Sequence, residues 1–269
     1  MASNPAGPPV KNRPAHPDQR EMMTAPIAKA ATAPKAAAKA TTHRFSRFNR
    51  LPVLTPDRSL DHLTLGFLKV LESEGNFTGE IHADYPARLI NATDNSVYQV
   101  MPRAVLQPKS ANDINVVMEL AGREEYSEVK ITPRGGGTGT NGQSLNNTVI
   151  LDTSKHLNNI LGFDAEKNLV HVEPGVVLDQ LNAWLKPHGV FFPPAVSTAS
   201  RATIGGMIGS DSSGKGSRIY GKTSHYINDM TTVLIDGTDF RTHAISAKEA
   251  DEIITRADRT GNEPRAYRL

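Results

Sequence analysis

The sequence predicts an α+β fold, and three observations carry that expectation. Apolar residues recur at helical spacing over Leu60–Leu71 and again after Ser110, whereas 105–107, 129–132 and 148–152 are short apolar runs bounded by turn residues. The helices lie among several small sheets, without the regular alternation of a doubly wound parallel sheet. Glycine is concentrated at Gly135–Gly139 and Gly205-Gly206, between elements.

Residues 1–58 form a basic tail rich in Ala, Pro and Lys. Pro5, Pro8, Pro9, Pro14, Pro17, Pro26 and Pro34 exclude a continuous helix there, and the composition predicts disorder. The lack of acids from Met23 to Pro56 resembles an organelle presequence. A flexible extension on a cytoplasmic protein is preferred, because Pro26 and Pro34 interrupt any amphipathic helix.

Leu60, Leu63, Leu65, Phe67, Leu68 and Leu71 predict an amphipathic helix ending near Gly75. Ile81–Ile90 reads as a second, shorter helix, so 59–100 is taken as a helical N-terminal segment. Val105-Leu106-Gln107 reads as a strand. Ser110 is placed as an N-cap with Asp113 three residues on, leading a helix through Ile114, Val117, Met118, Leu120 and Ala121.

Strands at 129–132 and 148–152 flank the first glycine cluster, and Asn146-Asn147 marks the turn between them. Ile160–Phe163 and Leu169–Val172 make a hairpin across Asp164–Asn168. Val176–Leu185 is helical with Leu178, Leu181 and Trp184 on one face, and Pro187-His188-Gly189 stops it. A long loop region then runs from Phe192 to Gly221, broken by one short helix near Ile204–Ile208. Such a stretch inside a compact domain commonly forms a functional wall. Met230–Asp236 and Phe240–Ile245 close the pattern as a last hairpin.

Composition removes several function classes. The chain has 269 residues and no cysteine, which excludes disulfides, thiolate nucleophiles, Cys-ligated zinc and cysteine-ligated iron–sulfur clusters within it. The net charge of +2 hides a split: residues 1–50 carry nine Lys or Arg against two acids, leaving the remainder at −5. The body gives no electrostatic reason to propose nucleic-acid binding. No apolar run reaches the length of an integral membrane segment. The nine histidines are scattered and show no metal spacing, and no G-x-S-x-G elbow is present. Only His225, just past Tyr220-Gly221, falls near the glycine-rich stretches, and a surface imidazole is the preferred reading even there.

Four glycines in the five residues Gly135–Gly139 let the backbone approach a ligand closely and adopt φ > 0. Successive amides in such a turn form a nest suited to a phosphate. Gly137, Gly139 and Gly142 satisfy G-x-G-x-x-G, but no helix fits before the strand at Thr148, so the Rossmann context is missing. The Walker pattern also fails, since Gln143 stands where the lysine belongs and Gly216 replaces the Ser or Thr after Lys215. What remains is a phosphate-bearing cofactor held between two glycine loops.

These segments resemble the FAD domain of the p-cresol methylhydroxylase/vanillyl-alcohol oxidase (PCMH-type) flavoprotein superfamily. Its P-x-G-G-G-T-G loop stands as Pro133–Gly139, its S-x-x-T-I-G-G segment as Ser200–Gly206, and its tyrosine–glycine pair as Tyr220-Gly221. Val105-x-Gln107-Pro108 with the helix after Ser110 is similar to its first strand and helix, and Val170-x-Val172-Glu173-Pro174-Gly175 to its strand ending in a glycine turn. A narrower resemblance is to the long bacterial FAD/iron–sulfur D-2-hydroxy acid dehydrogenases of the D-2-hydroxyglutarate and D-lactate type. It rests on Thr93–Tyr98, Arg134–Gln143 and Tyr220–Ser224.

The resemblance spans roughly residues 60–245 and implies two small α/β subdomains with FAD between them, in a 101–269 domain that is C-terminally incomplete. It implies cofactor contacts from Arg134, Gly135, Gly136, Gly137, Thr138, Gly139 and Ser144. Ser200, Thr203, Ile204, Gly205 and Gly206 would line the flavin or ribityl chain, although Ser200 or Thr203 could equally cap the short helix at Ile204. A capped helix start could itself serve as an anion site. Ser213, Gly214, Tyr220 and Gly221 follow from family order. Val233 would reach the adenine end, with core packing an equal alternative. Thr138 stands where members with covalent flavin have a histidine, which implies non-covalent FAD.

The implied reaction passes the α-hydrogen of a D-2-hydroxy acid to the flavin as hydride, and an electron acceptor re-oxidises it. The catalytic base and any iron–sulfur cluster would lie beyond this chain, so residues 1–269 alone are expected to be inactive. The alternatives are a non-catalytic FAD-binding module or subunit, or a degenerate fragment.

Overall fold

The computed structural model describes residues 60–74 and 76–256. The expectations for the tail at 1–58 and for the chain beyond 256 lie outside the described residues.

Helix α1 (His62–Ser73) starts where the Asp61 side chain accepts the Thr64 amide at 2.9 Å, and it buries Phe67, Leu68 and Leu71. Helix α3 (Ala111–Ala121) opens with the capping box expected from Ser110 and Asp113. Asp113 is fully buried and also accepts the Thr78 amide at 2.6 Å and the Lys109 amide at 2.7 Å, which ties the approach to the sheet onto the helix start.

Four strands form the first sheet: β1 (Glu80–His82), β2 (Ala104–Gln107), β3 (Ile131–Arg134) and β4 (Val149–Asp152), in the order β1-β2-β4-β3. β1 runs antiparallel to β2, while β2 and β3 both run parallel to β4. Ala104, Leu106, Val149 and Leu151 pack with α1 and α3 in one core. Val105 and Ile150 alternate to the other face and are fully buried too, as a parallel sheet requires.

The expected helix over Ile81–Ile90 is corrected. Glu80–His82 pairs with β2 as an edge strand, and only α2 (Tyr85–Ile90), capped by Asp84, is helical. Pairing with a sheet edge outweighs the weak local preference of three residues. β3 lies two residues later than expected and runs through Pro133, which an edge strand tolerates. That shift delivers Arg134 directly to the first glycine loop.

A second core joins the hairpin β5 (Ile160–Asp164) and β6 (Leu169–Val172) to α4 (Leu178–Leu185) and α5 (Ile204–Gly209). Leu178, Leu181 and Leu185 form the buried face of α4; Trp184 is 39% exposed and makes a T-shaped contact with Phe163. The expected Trp184 face is thus corrected, because an i, i+3, i+7 stripe from residue 178 reaches Leu185. A second short helix, α6 (Ser217–Tyr220), also interrupts the long loop region.

The last hairpin, β7 (Asp229–Val233) and β8 (Asp239–His243), leans on α3, where Asn115 Nδ2 donates to Asp239 Oδ1 at 3.2 Å. Helix α7 (Ala247–Arg256) follows and was missed in the sequence, although Ala250, Ile253 and Ile254 carry its apolar stripe.

Candidate functional site

The two glycine clusters, some seventy residues apart in sequence, touch. A Cβ on Gly135 would overlap the Thr203 side chain, and one on Gly136 would overlap the carbonyl oxygen of Arg201. Beneath them runs the turn from β6 into α4. Its Pro174 and Val176 carbonyls accept the Gly205 and Ile204 amides at 2.8 Å each, and Leu178 N–H donates to Ala202 O at 3.0 Å. Gly205 abuts Pro174, and Gly175 N–H donates to Leu157 O at 2.7 Å, just after β4. The first loop therefore rests on a rigid seat made by the second core.

Gly137 has φ +62°, the left-handed region that favours glycine, and its carbonyl accepts the Asn95 amide at 3.0 Å. Among the described residues, no protein acceptor takes the amides of Gly136, Gly137, Thr138 or Gly139, and all four residues are half-exposed. Successive amides without protein acceptors, with the left-handed Gly137 among them, are an arrangement that suits an anion. The start of α5 offers no such donors. Ile204 and Gly205 are committed as above, and Gly206 N–H donates to Thr203 Oγ1 at 3.3 Å. The idea that the capped helix is itself an anion site is corrected: its amides are spent inside the protein.

Residues 102–243 match the family described as the FAD binding domain. This chain belongs to that family. It is 50% identical over 184 residues to the D-2-hydroxyglutarate dehydrogenase of Pseudomonas putida, covering 68% of this chain and 18% of the relative. The Pantoea ananatis D-2-hydroxyglutarate dehydrogenase is 46% identical over 206 residues, covering 77% of this chain and 20% of the relative. The chain thus spans about a fifth of the length of these relatives. Among solved structures, alkyldihydroxyacetonephosphate synthase shares the fold at a TM-score of 0.58 and 20% identity, covering 68% of this chain and 35% of that one. Physcomitrella patens BBE-like 1 shares it at a TM-score of 0.56 and 17% identity, covering 68% of this chain and 39% of its own.

Within this FAD-binding domain, two of the expected cofactor residues are committed to protein partners. Arg134 Nη2 donates to Thr93 O at 2.7 Å, and Nη1 lies 3.4 Å from both Ser144 O and Ser144 Oγ. Ser144 is buried and its hydroxyl donates to Asp94 at 3.0 Å. Burial draws the Arg134 guanidinium below its ordinary pKa, opposed by the nearby Asp152 and Asp94 carboxylates.

Thr203 is buried as the N-cap of α5, whereas Ser200 and Gly206 are exposed and Gly205 is half-exposed beside them. Of the residues expected from family order, Ser213 is exposed and Gly214 is held so close to the 191–197 loop that a Cβ would overlap Ala195 O. Tyr220 is exposed, makes a T-shaped contact with Phe191 at 5.8 Å, and its carbonyl accepts the Tyr226 hydroxyl at 2.6 Å. Gly221 has φ +75° and lies against the His225 ring. Lys222 is paired with Asp211 at 3.0 Å. The Ser224 amide first, then Lys222, holds the Asp211 carboxyl down at about 2. Val233 pairs with Asp239 in the hairpin beside α3, and no described contact brings it to the glycine loops.

One cluster escaped the sequence. Glu80 on β1 binds His82 Nε2 at 3.1 Å, His156 Nε2 at 2.8 Å and Lys155 Nζ at 2.6 Å, and Gln107 bridges His82 and Lys155. The partners lie up to 76 positions apart, so only the sheet register could reveal them. Among the described residues no His, Asp or Glu group could hold a metal ion, and no helix is long and apolar enough to cross a membrane.

Proposed function

We propose that this domain binds FAD non-covalently and serves a flavin-dependent dehydrogenase acting on a D-2-hydroxy acid. The observation that carries the reading is the clamped loop at Gly136–Gly139, whose amides lack protein acceptors and present a nest to a diphosphate. The Thr138 hydroxyl adds a further donor there. Ser200, Gly205 and Gly206 form the second wall, mainly through backbone, while Thr203 and Ile204 hold that wall in shape. Ser213, Gly214, Tyr220 and Gly221 extend the same wall beyond α5.

When bound, FAD supplies the two-electron acceptor for the substrate's α-hydrogen. The residues in hand hold the cofactor and exclude water on one side. The substrate class rests on the names of the relatives matched over 68–77% of the chain. Any cysteine-ligated iron–sulfur cluster of such an enzyme belongs outside these residues, which contain no cysteine. A cytoplasmic location completes the reading.

The test is anaerobic bleaching of the flavin absorbance of the intact protein by D-2-hydroxyglutarate or D-lactate, with the L-isomers as controls. The reading predicts bleaching by a D-isomer and re-oxidation by an artificial acceptor. Retained oxidised flavin with every 2-hydroxy acid tried would overturn the dehydrogenase assignment.

A further inference from the structure

We infer that Arg134 and Asp94 are positioning residues that preset the anion nest from behind, and that neither contacts the cofactor. The inference rests on the FAD reading above, and it assigns the arginine of the P-R-G-G-G-T-G motif a role other than phosphate pairing.

The geometry runs through one short stretch, Thr93–Asn95. Arg134 grips it by donating to Thr93 O at 2.7 Å. Asp94 accepts the Ser96 amide at 2.8 Å through Oδ1 and the Ser144 hydroxyl at 3.0 Å through Oδ2, which fixes the stretch to the far end of the glycine loop. Asn95 then donates its amide to Gly137 O at 3.0 Å. The Gly137 carbonyl is thereby drawn to the back of the loop, leaving the amides of Gly136–Gly139 free of protein acceptors.

The guanidinium also fills the space behind Gly137. A Cβ there would come within 2.6 Å of Arg134 Nη2, so this position needs glycine both for φ and for room. With its donors turned to Thr93 and Ser144, the Arg134 fork has its partners within the protein. Its charge still raises the local potential, so charge and geometry must be separated by experiment.

The experiment compares FAD with riboflavin, which carries no phosphate, on the apo form of the intact protein. Dissociation constants come from flavin fluorescence quenching, and apo melting temperatures are recorded for each variant. The wild type should bind FAD far more tightly than riboflavin. Arg134→Met and Asp94→Ala should each weaken FAD by about ten- to a hundredfold, the range usual for supports behind a ligand shell. Riboflavin affinity should not change. Arg134→Lys keeps the charge but loses the fork, and should recover only part of the FAD affinity.

Full recovery by Arg134→Lys would show that charge alone matters and overturn the brace. Equal weakening of FAD and riboflavin, or unchanged FAD affinity in both Arg134→Met and Asp94→Ala, would overturn it as well. A wild type that does not favour FAD over riboflavin would instead remove the cofactor reading on which the brace rests.

Discussion

The carbonyl oxygen of Arg201 occupies the space that a side chain on Gly136 would need. Glycine at 136 is thus required by a contact between two protein loops, before any ligand arrives. The sequence suggested a different reason, close approach of the backbone to phosphate, and the two reasons make different predictions.

Gly136→Ala should therefore damage the protein as well as the site. Relieving an overlap with backbone must displace one loop, and overpacking of this kind costs about 1–3 kcal/mol. Urea unfolding of the apo protein should show a lower midpoint. A midpoint equal to wild type would mean that the loops separate freely and that the seat described above is soft.

Gly206→Ala separates the two effects. Gly206 is exposed on the wall, and its added Cβ would meet only Thr203 Oγ1, at 3.1 Å. Alanine favours a helix over glycine by up to about 1 kcal/mol, but the buried Thr203 cap must give by a few tenths of an ångström to admit the Cβ, so the apo melting temperature should stay close to wild type. On the proposed reading Gly206 belongs to the second wall, so FAD retention on gel filtration should fall. Unchanged retention would remove Gly206 from the wall.

Glu80 gives a prediction in pH. Lys155 first, then His156 and His82, hold its carboxyl at about 2, against an ordinary 4.5. A depressed folded pKa means stability that is present above pH 4.5 and is lost as pH falls toward 2. Glu80→Gln should show no such loss. The melting-temperature gap between wild type and variant should therefore be largest near neutrality, shrink below pH 4.5 and close near pH 2. Asp211 titrates in the same window but is common to both proteins and cancels. The ion pairs are partly exposed, so the gap should be small and should narrow further in high salt. Parallel curves across the range would show that the cluster is not coupled to folding.

Much of the fold was legible because it depends on local periodicity. Ser110 and Asp113 announced α3, and Leu60–Leu71 announced α1, since capping and amphipathic spacing are written in consecutive residues. Glu80–His82 was misread because its structure comes from joining the sheet as an edge strand beside β2, which is distant in sequence. The four glycines after β3 pointed to a special turn, and Gly137 does take φ +62°. Their partners were not legible. Neither the contact of Gly135 and Gly136 with Arg201–Thr203 nor the inward turn of Arg134 has any local signal, because both depend on tertiary approach. The same holds for His82 and His156, which meet only through Glu80. Arg134 was assigned to the cofactor because it sits in the motif; only side-chain geometry shows it facing Thr93.

The central claim is that the amides of Gly136–Gly139 receive the cofactor's diphosphate, and hydrogen exchange of the segment 134–143 tests it most directly. In the apo protein these amides, lacking protein acceptors, should exchange within the fastest class. Saturating FAD should slow exchange at Gly137, Thr138 and Gly139, whereas riboflavin should leave them fast. FAD bound to the protein with no protection anywhere in 134–143 would contradict the account and place the cofactor on other residues.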